Sequence, residues 1–112
     1  MKLKTKESNN VTVIELKGNV MGGPDATALN DELHKLIEQK KNKVVLDLHE
    51  VKFMNSSGLG MLIGSLTTMR NAGGDLKIAC ASEKIESLLI VTKLVTVFDH
   101  QESVEKAVAS FK

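Results

Sequence analysis

At 112 residues the chain has room for one domain with one hydrophobic core, and 42% apolar with 26% charged residues is the balance of a globular protein. Fifteen basic against fourteen acidic residues give a formal charge of +1, and the three Phe are unaccompanied by Trp or Tyr, so we expect no direct nucleic-acid binding. A single cysteine, Cys80, excludes an internal disulfide, and with no signal sequence or membrane-length apolar run we expect a cytoplasmic protein without membrane insertion.

The first half of the chain predicts two strands, a helix and a third strand. Val11–Gly18 is rich in β-branched residues and ends at glycine, and residues 2–7 are predicted to pair with it across a Ser-Asn-Asn turn. A helix follows between residues 22 and 41, with proline at its first position and a buried face of Leu29, Leu33, Leu36 and Ile37. The nearly continuous apolar run Lys43–Leu48 indicates a central strand covered on both faces.

The middle of the chain continues this alternation of helix and strand. A helix is predicted from the segment "FMNSSGLG" at residues 53–60 to about Asn71, where "NAGG" stops it. In the following segment, residues 75–81, apolar residues alternate with Lys77 and Ala79, which is typical of a strand.

The end of the chain predicts two helices separated by a short strand. A helix after Ser82 carries Ile85, Leu88 and Leu89, and "VTVF" at residues 95–98 is predicted as the strand. The last helix is predicted to begin with a capping box, "DHQE" at residues 99–102, and to bury a stripe of Val104, Ala107, Val108 and Phe111. The order β, β, α, β, α, β, α, β, α favours an α/β fold with a mostly parallel or mixed sheet.

The glycines of the segment at residues 53–60 and the helix after it raise the possibility of a phosphate-binding loop. Gly58, Gly60 and Gly64 follow a strand and open a helix, where backbone N–H groups attract anions. Their spacing is G-x-G-x-x-x-G, however, the next strand ends without an acidic residue for a ribose, and no Gly-Lys-Ser/Thr is present. Both nucleotide fingerprints therefore fail, and we predict no cofactor.

The same segment also invites comparison with a nucleophilic serine. A hydrolase elbow needs glycine two residues before the nucleophile, whereas Met54 and Asn55 fill the positions that precede Ser56 and Ser57 by two. The three histidines, His34, His49 and His100, are typical of solvated positions, and neither they nor Cys80 show metal-ligand spacing. We therefore predict neither a metal nor catalytic residues, and a protein that is not an enzyme.

A long gap in the charge pattern favours a third interpretation. The seventeen residues from Phe53 to Met69 include no Asp, Glu, Lys or Arg. Winding them as a helix puts a core stripe of Leu59, Leu62, Ile63, Leu66 and Met69 on one side. The opposite side is small and uncharged, which suits close approach by another protein, although burial inside the domain is the alternative. That side collects Gly60, Met61, Gly64, Ser65, Thr67, Thr68, Asn71 and Ala72.

Ser56 stands where this uncharged helix begins. Asn55 or Ser56 can cap the helix by accepting a hydrogen bond from a free N–H of the first turn, which is a sufficient structural role. A phosphate on the same hydroxyl would add about −1.5 to −2 charges. The helix N-terminus tolerates such a charge, but an interface without counter-charges has to desolvate it. Phosphorylation of Ser56 is therefore predicted to leave the fold intact and to prevent binding.

The segment "SSGLG" at residues 56–60, with Asp47-Leu48 before it and Gly73-Gly74 after it, resembles the STAS domain of bacterial anti-sigma factor antagonists, and the resemblance extends from about Val11 to Ala109. The family pattern has a strand ending in Asp-Leu, a hydrophobic residue before Asp-Ser-Ser/Thr-Gly-Leu-Gly, and Gly-Gly ahead of the next strand. Asp47-Leu48, residues 56–60 ("SSGLG") and Gly73-Gly74 match it. The resemblance implies a single STAS-like domain over residues 1–112, with a small mixed sheet of four to five strands and about four helices packed mainly on one side.

The resemblance also implies partners. In the family, the unphosphorylated antagonist binds an anti-sigma factor that is a serine kinase with a histidine-kinase-like ATPase fold, and this frees the sigma factor. The kinase phosphorylates the first hydroxyl of the motif, which is Ser56 here, and a serine phosphatase restores the free form. Together with the charge gap, this assigns partner binding to Asn55, Ser57, Gly58, Met61, Gly64, Ser65 and Thr68.

Two departures from the family pattern keep an alternative open. Asn55 stands where the family usually has Asp before the acceptor serine, and Met21 and Gly22 stand near the position of another common Asp. The alternative is a constitutive STAS scaffold, or a subunit associated with a transporter, that phosphorylation does not control. The sequence does not assign an oligomeric state.

Overall fold

The chain forms a five-stranded mixed sheet with helices on both faces. The computed structural model describes residues 1–111, so residue 112 of the predicted domain lies outside the described residues. No helix in this range is both long and apolar enough to cross a bilayer. In chain order the elements are β1 (Lys2–Ser8), β2 (Val11–Val20), α1 (Pro24–Glu38), β3 (Lys43–Met54), α2 (Ser56–Asn71), β4 (Asp75–Ala79), α3 (Glu83–Val91), a 3₁₀ turn (Leu94–Thr96), β5 (His100–Gln101) and α4 (Val104–Ala109).

The strands lie in the order β1-β2-β3-β4-β5, so β3 is central, as its apolar run predicts. β1 pairs with β2 in the antiparallel sense, and the other neighbours are parallel. β3 continues past its predicted end at Leu48 as far as Met54, which pairs with Val20 at the end of β2. The segment at residues 53–60 therefore starts beside the loop that joins β2 to α1.

The core has two parts because strand side chains alternate between the two faces of the sheet. Val44, Leu46 and Leu48 of β3 face a large cluster that includes the buried leucines of α1, α2 and α3. Val45 faces a smaller cluster formed with Val11, Val13, Ala79 and the buried residues Ala107 and Val108 of α4. Three helices on one face and one on the other confirm the predicted fold class.

Two predictions near the end of the chain are wrong. The strand expected at residues 95–98 is replaced by the 3₁₀ turn and by a buried Phe98, and the edge strand lies at His100–Gln101, beside Ile78 and Ala79. Lys93 takes a left-handed φ of 62° after α3, so the chain winds before it extends. A four-residue apolar run has no periodicity that separates these outcomes.

The predicted capping box at residues 99–102 is also wrong. Ser103 caps α4, because its hydroxyl oxygen accepts a hydrogen bond from the Lys106 N–H at 3.1 Å. Asp99 instead receives a hydrogen bond from Lys77 Nζ, with 2.7 Å between Nζ and Oδ2. Lys77 is almost buried on β4, so its ammonium competes for the carboxylate that would have capped the helix.

Candidate functional site

Asn55 fixes the start of α2. Its side-chain Oδ1 accepts a hydrogen bond of 2.7 Å from the Gly58 N–H, and its backbone is extended, as an N-cap requires. Its own N–H donates to the Val20 carbonyl at 3.4 Å, and its carbonyl accepts from the Leu59 N–H at 3.0 Å. Asn55 is therefore the cap, and Ser56 is the exposed first residue of the helix.

The first turn of α2 packs tightly against the end of β2. A Cβ on Gly58 would overlap the carbonyl oxygen of Val20 and lie 2.9 Å from Met54 Cγ. Gly22, in the loop after β2, has a φ of 82°, and a Cβ there would lie 2.7 Å from Ser57 Cβ. Both glycines are thus required by close approach, and the loop that departs from the family pattern lies directly against the serine motif.

The core stripe predicted for α2 is confirmed. Leu59, Leu62, Leu66 and Met69 are buried, and Ile63 packs against the same cluster while remaining partly exposed. This stripe holds α2 on the sheet and turns its small, uncharged side away from the strands. The orientation of the candidate surface therefore follows from the apolar spacing.

The small side of α2 lines an open groove together with α1. The groove has a volume of about 470 Å³, and none of its lining residues carries a charge. Met61 and Ser65 form its floor and are only 7% and 5% exposed, with the Ser65 hydroxyl donating to the Met61 carbonyl at 2.8 Å. The lining residues are Gly22, Gly23, Ala26, Thr27, Asn30, Ser57, Gly60, Met61, Gly64, Ser65 and Thr68.

The small side of α2 is partly exposed and partly buried, so both interpretations of the charge gap, a surface for a partner and burial inside the domain, hold for different residues. The residues predicted to bind a partner differ in access: Ser57 and Gly64 are exposed, Thr68 is half-buried, and Met61 and Ser65 are covered within the chain. A partner could reach the last two only from inside the groove. Of the other two predicted residues, Gly58 is buried and Asn55 is half-buried, and neither lines the groove. Partner binding by all seven residues remains a prediction.

None of the hydrogen bonds within residues 1–111 joins a histidine to Ser56 or Ser57, and His100 pairs with Glu86, with Nδ1 at 3.2 Å from Oε1. A catalytic centre usually displaces the pKa of a nearby group. Among the described residues, the groups with a displaced pKa lie elsewhere: Lys77 lowers the pKa of Asp99, burial raises the pKa of the Cys80 thiol, and a hydrogen bond to Glu50 raises the pKa of Lys17.

Two features of the site were missed in the sequence. The first is the contribution of α1 to the groove, which depends on where that helix lies in the fold. The Gly22-Gly23 pair before α1 was the one sequence feature that could have indicated a close approach there. A second apolar surface also lies nearby, where Phe53 and Val91 border a cavity of about 300 Å³ and are 39% and 79% exposed. The Lys84 ammonium lies over the Phe53 ring, 5.4 Å from its centre.

Comparison with known proteins agrees with this architecture. The family model described as "STAS domain" matches residues 2–107. The anti-sigma-B factor antagonist of Bacillus subtilis is 31% identical over 88 residues, which cover 76% of this chain and 80% of that protein. The anti-sigma F factor antagonist of Paenibacillus polymyxa is 20% identical over 105 residues, covering 90% and 89% of the two chains.

Solved structures share the fold. The unphosphorylated form of the anti-sigma factor antagonist SpoIIAA has a TM-score of 0.72 at 15% identity over 97% of this chain and 96% of that one. Its phosphorylated form, from Bacillus, has the same TM-score at 16% identity, covering 99% and 100% of the chains. A sulfate transporter family protein from Wolinella succinogenes has a TM-score of 0.71 at 15% identity, covering 92% and 85%.

Proposed function

The chain belongs to the STAS domain family, and from that membership we propose that it is an anti-sigma factor antagonist whose partner binding is switched by phosphorylation of Ser56. The unphosphorylated chain binds an anti-sigma factor that is a serine kinase with a histidine-kinase-like ATPase fold. The kinase transfers a phosphate to Ser56 and releases the antagonist, and a serine phosphatase reverses the modification. The chain is then a cytoplasmic regulator and a kinase substrate, not an enzyme.

The observation that carries this proposal is the position of Ser56. It is exposed at the first turn of α2, next to Ser57, which lines one end of a groove without a charged residue. A phosphoserine would bring about two negative charges to that end. A partner surface that fits the uncharged groove would have to desolvate them without a counter-ion from this chain, so binding would weaken.

The fold would tolerate the same phosphate. Negative charge is stabilising near a helix N-terminus, typically by about 0.3–1 kcal/mol. The hydroxyl of Ser56 is not the cap, since Asn55 fills that role, so its modification leaves the hydrogen bond to Gly58 in place. The modification therefore acts on binding and spares folding, which a reversible switch requires.

Asn55 is compatible with this switch. Its amide oxygen supplies the capping acceptor that a carboxylate would supply, at 2.7 Å from the Gly58 nitrogen. Its missing negative charge removes one repulsive neighbour of a phosphate on Ser56. We infer that the substitution changes the rate and the choice of kinase more than the ability of Ser56 to accept a phosphate.

Titration against purified serine kinases of the histidine-kinase-like ATPase type from the source bacterium tests the proposal. Ser56→Asp should weaken binding of the cognate kinase by at least tenfold, which is about 1.4 kcal/mol, while Ser56→Ala should preserve it. Ser82→Asp is the matched control, because this substitution adds the same charge at the start of another helix. Ser82 is the N-cap of α3. Normal binding by Ser56→Asp would refute the switch.

A second candidate function is a constitutive STAS scaffold or a transporter-associated subunit. Two observations favour it: Asn55 beside the acceptor, and the fold shared with a sulfate transporter family protein. Intact-mass measurement after incubation with ATP and each kinase separates the two. One added phosphate, absent in Ser56→Ala, supports the switch, whereas no added phosphate with any kinase that binds the chain supports the scaffold.

A further inference from the structure

Helix α3 has a second apolar side that packing against the sheet does not explain. Ile85 and Leu89 are buried in the main core and hold the helix on the sheet. On another side of the helix, Leu88 is half-buried and Val91 is exposed. Phe53, near the end of β3, lies beside them and is also exposed. Large apolar side chains that are exposed next to one another mark a binding surface.

These side chains border the cavity of about 300 Å³ between β3 and α3. The buried side chains of Met54 and Ile85 line it from the interior of the domain. Its lining residues on α3 are spaced three and four apart, so they form one continuous stripe along two turns of the helix. The stripe consists of Lys84, Ser87, Leu88 and Val91. The volume lies at the lower end of the range for small-molecule sites, about 300–1,000 Å³.

Lys84 gives this apolar cavity a single cation. It is the one charged residue among the described residues that line the cavity. Its ammonium lies over the Phe53 ring, 5.4 Å from the centre, which keeps the charge beside the cavity. None of the ion pairs within residues 1–111 includes Lys84. An anion with an aliphatic chain complements an apolar wall that carries one cation without a counter-ion.

The length of the stripe limits the length of that chain. Lys84 and Val91 are seven residues apart on α3, which is about 10 Å along the helix axis. An extended chain advances about 1.2 Å per bond, so about nine carbons match this length. A medium-chain carboxylate therefore fits both the apolar wall and the cation.

A second copy of this chain fits the same surface less well. The lining residues include no carboxylate. A symmetric contact between two copies would bring two Lys84 ammonium groups into one interface without a counter-ion. An anionic ligand supplies that counter-ion itself.

We propose that the cavity between β3 and α3 binds a medium-chain fatty acid, with its aliphatic chain along Leu88 and Val91 and its carboxylate at the Lys84 ammonium. This cavity shares no lining residue with the groove between α1 and α2. The inference therefore goes beyond the proposed function and does not depend on it.

Titration of the full chain with sodium octanoate, followed by NMR of leucine and valine methyl groups, tests the site. Octanoate should shift the Leu88 and Val91 signals and saturate them below its micelle concentration. Each buried methylene strengthens binding about fourfold, so octanoate should bind roughly 16-fold more tightly than hexanoate. The gain should stop beyond about nine carbons, where the stripe ends.

Three exposed positions on α3 give matched variants. Lys84→Gln should weaken octanoate binding about three- to fivefold and leave the affinity for 1-octanol unchanged, because only octanoate carries a charge. Val91→Ser should weaken octanoate binding at least fivefold, because it removes apolar contact with the chain. Ile90→Ser is the control: Ile90 is exposed on the same helix but does not line the cavity, so octanoate affinity should not change.

Three titration results would overturn the inference: no saturable shift at Leu88 and Val91, wild-type octanoate affinity in Lys84→Gln, or equal losses of affinity in Val91→Ser and Ile90→Ser. Sedimentation of the ligand-free chain tests the other occupant. A monomer supports the inference. A dimer that Val91→Ser dissociates would show that a second copy covers this surface, and the proposed site would then be wrong.

Discussion

Replacing Asn55 by alanine should destabilise the fold more than an ordinary cap substitution. Loss of a helix N-cap costs about 0.5–2 kcal/mol. Here the N–H that loses its acceptor belongs to Gly58, which is buried against the end of β2, so water cannot easily replace the amide oxygen. The expected cost is therefore in the upper half of that range, about 1.5 kcal/mol.

Thermal unfolding followed by circular dichroism measures this cost. The unfolding entropy of a protein of this length is roughly 0.24 kcal/mol per kelvin, so a loss of about 1.5 kcal/mol in stability lowers Tm by about 6 °C. Ser103→Ala is the matched comparison, since Ser103 caps α4 through the exposed Lys106 N–H, which water can reach. Its loss should cost about 0.5 kcal/mol, or about 2 °C.

Asn55→Asp completes the series. The carboxylate keeps the acceptor and adds a favourable charge at the helix N-terminus, so Tm should equal or exceed that of the wild type. The reasoning fails if Asn55→Ala lowers Tm no more than Ser103→Ala. It fails as well if Asn55→Asp loses as much stability as Asn55→Ala, because the side-chain oxygen would then have no capping role.

Three further predictions concern other parts of the chain. Gly22→Ala should lower the free energy of unfolding in urea by about 1–3 kcal/mol more than Gly23→Ala. Both glycines have a positive φ, but only Gly22 lies against Ser57. Equal losses would show that the contact with Ser57 does not restrict this position. Since Lys77 lowers the pKa of Asp99, the stability from this pair is full above the unfolded pKa near 4 and is lost as pH falls through the lower folded value. Lys77→Met should flatten the acid limb of stability against pH, and an unchanged limb would contradict the pairing. Since burial raises the pKa of Cys80, iodoacetamide at pH 8 should label it more slowly in the folded chain than in urea, and equal rates would show an accessible thiolate.

The central strand and the orientation of α2 could be predicted because each depends on a repeated local pattern. The nearly continuous apolar run at Lys43–Leu48 favours burial on both faces, and this places β3 in the middle of the sheet. The spacing of Leu59, Leu62 and Leu66 fixes which side of α2 meets the strands. Core packing then leaves the small residues of the helix on its other side.

The details that could not be predicted depend on contacts distant in sequence. Asn55 and Ser56 both carry an oxygen that can cap the helix, and the sequence does not show which of them accepts from the first turn; in the structure the Gly58 N–H donates to Asn55 Oδ1. Asp99 looked like a cap, but Lys77 lies 22 residues away and takes its carboxylate. The burial of Met61 and Ser65 likewise requires knowing that α1 lies alongside α2.

The residues around α2 fall into two sets, a buried framework that positions Ser56 and an exposed rim of the groove. The presentation of Ser56 depends on Val20, Asn55 and Gly58, which belong to the folded framework. The exposed rim of the groove, at Thr27, Asn30 and Gly64, supports no core contact, so it can diverge without disturbing that framework. Under the proposed switch, duplicated copies of such a chain can therefore differ in the partners they bind through the rim while they keep the same framework around Ser56.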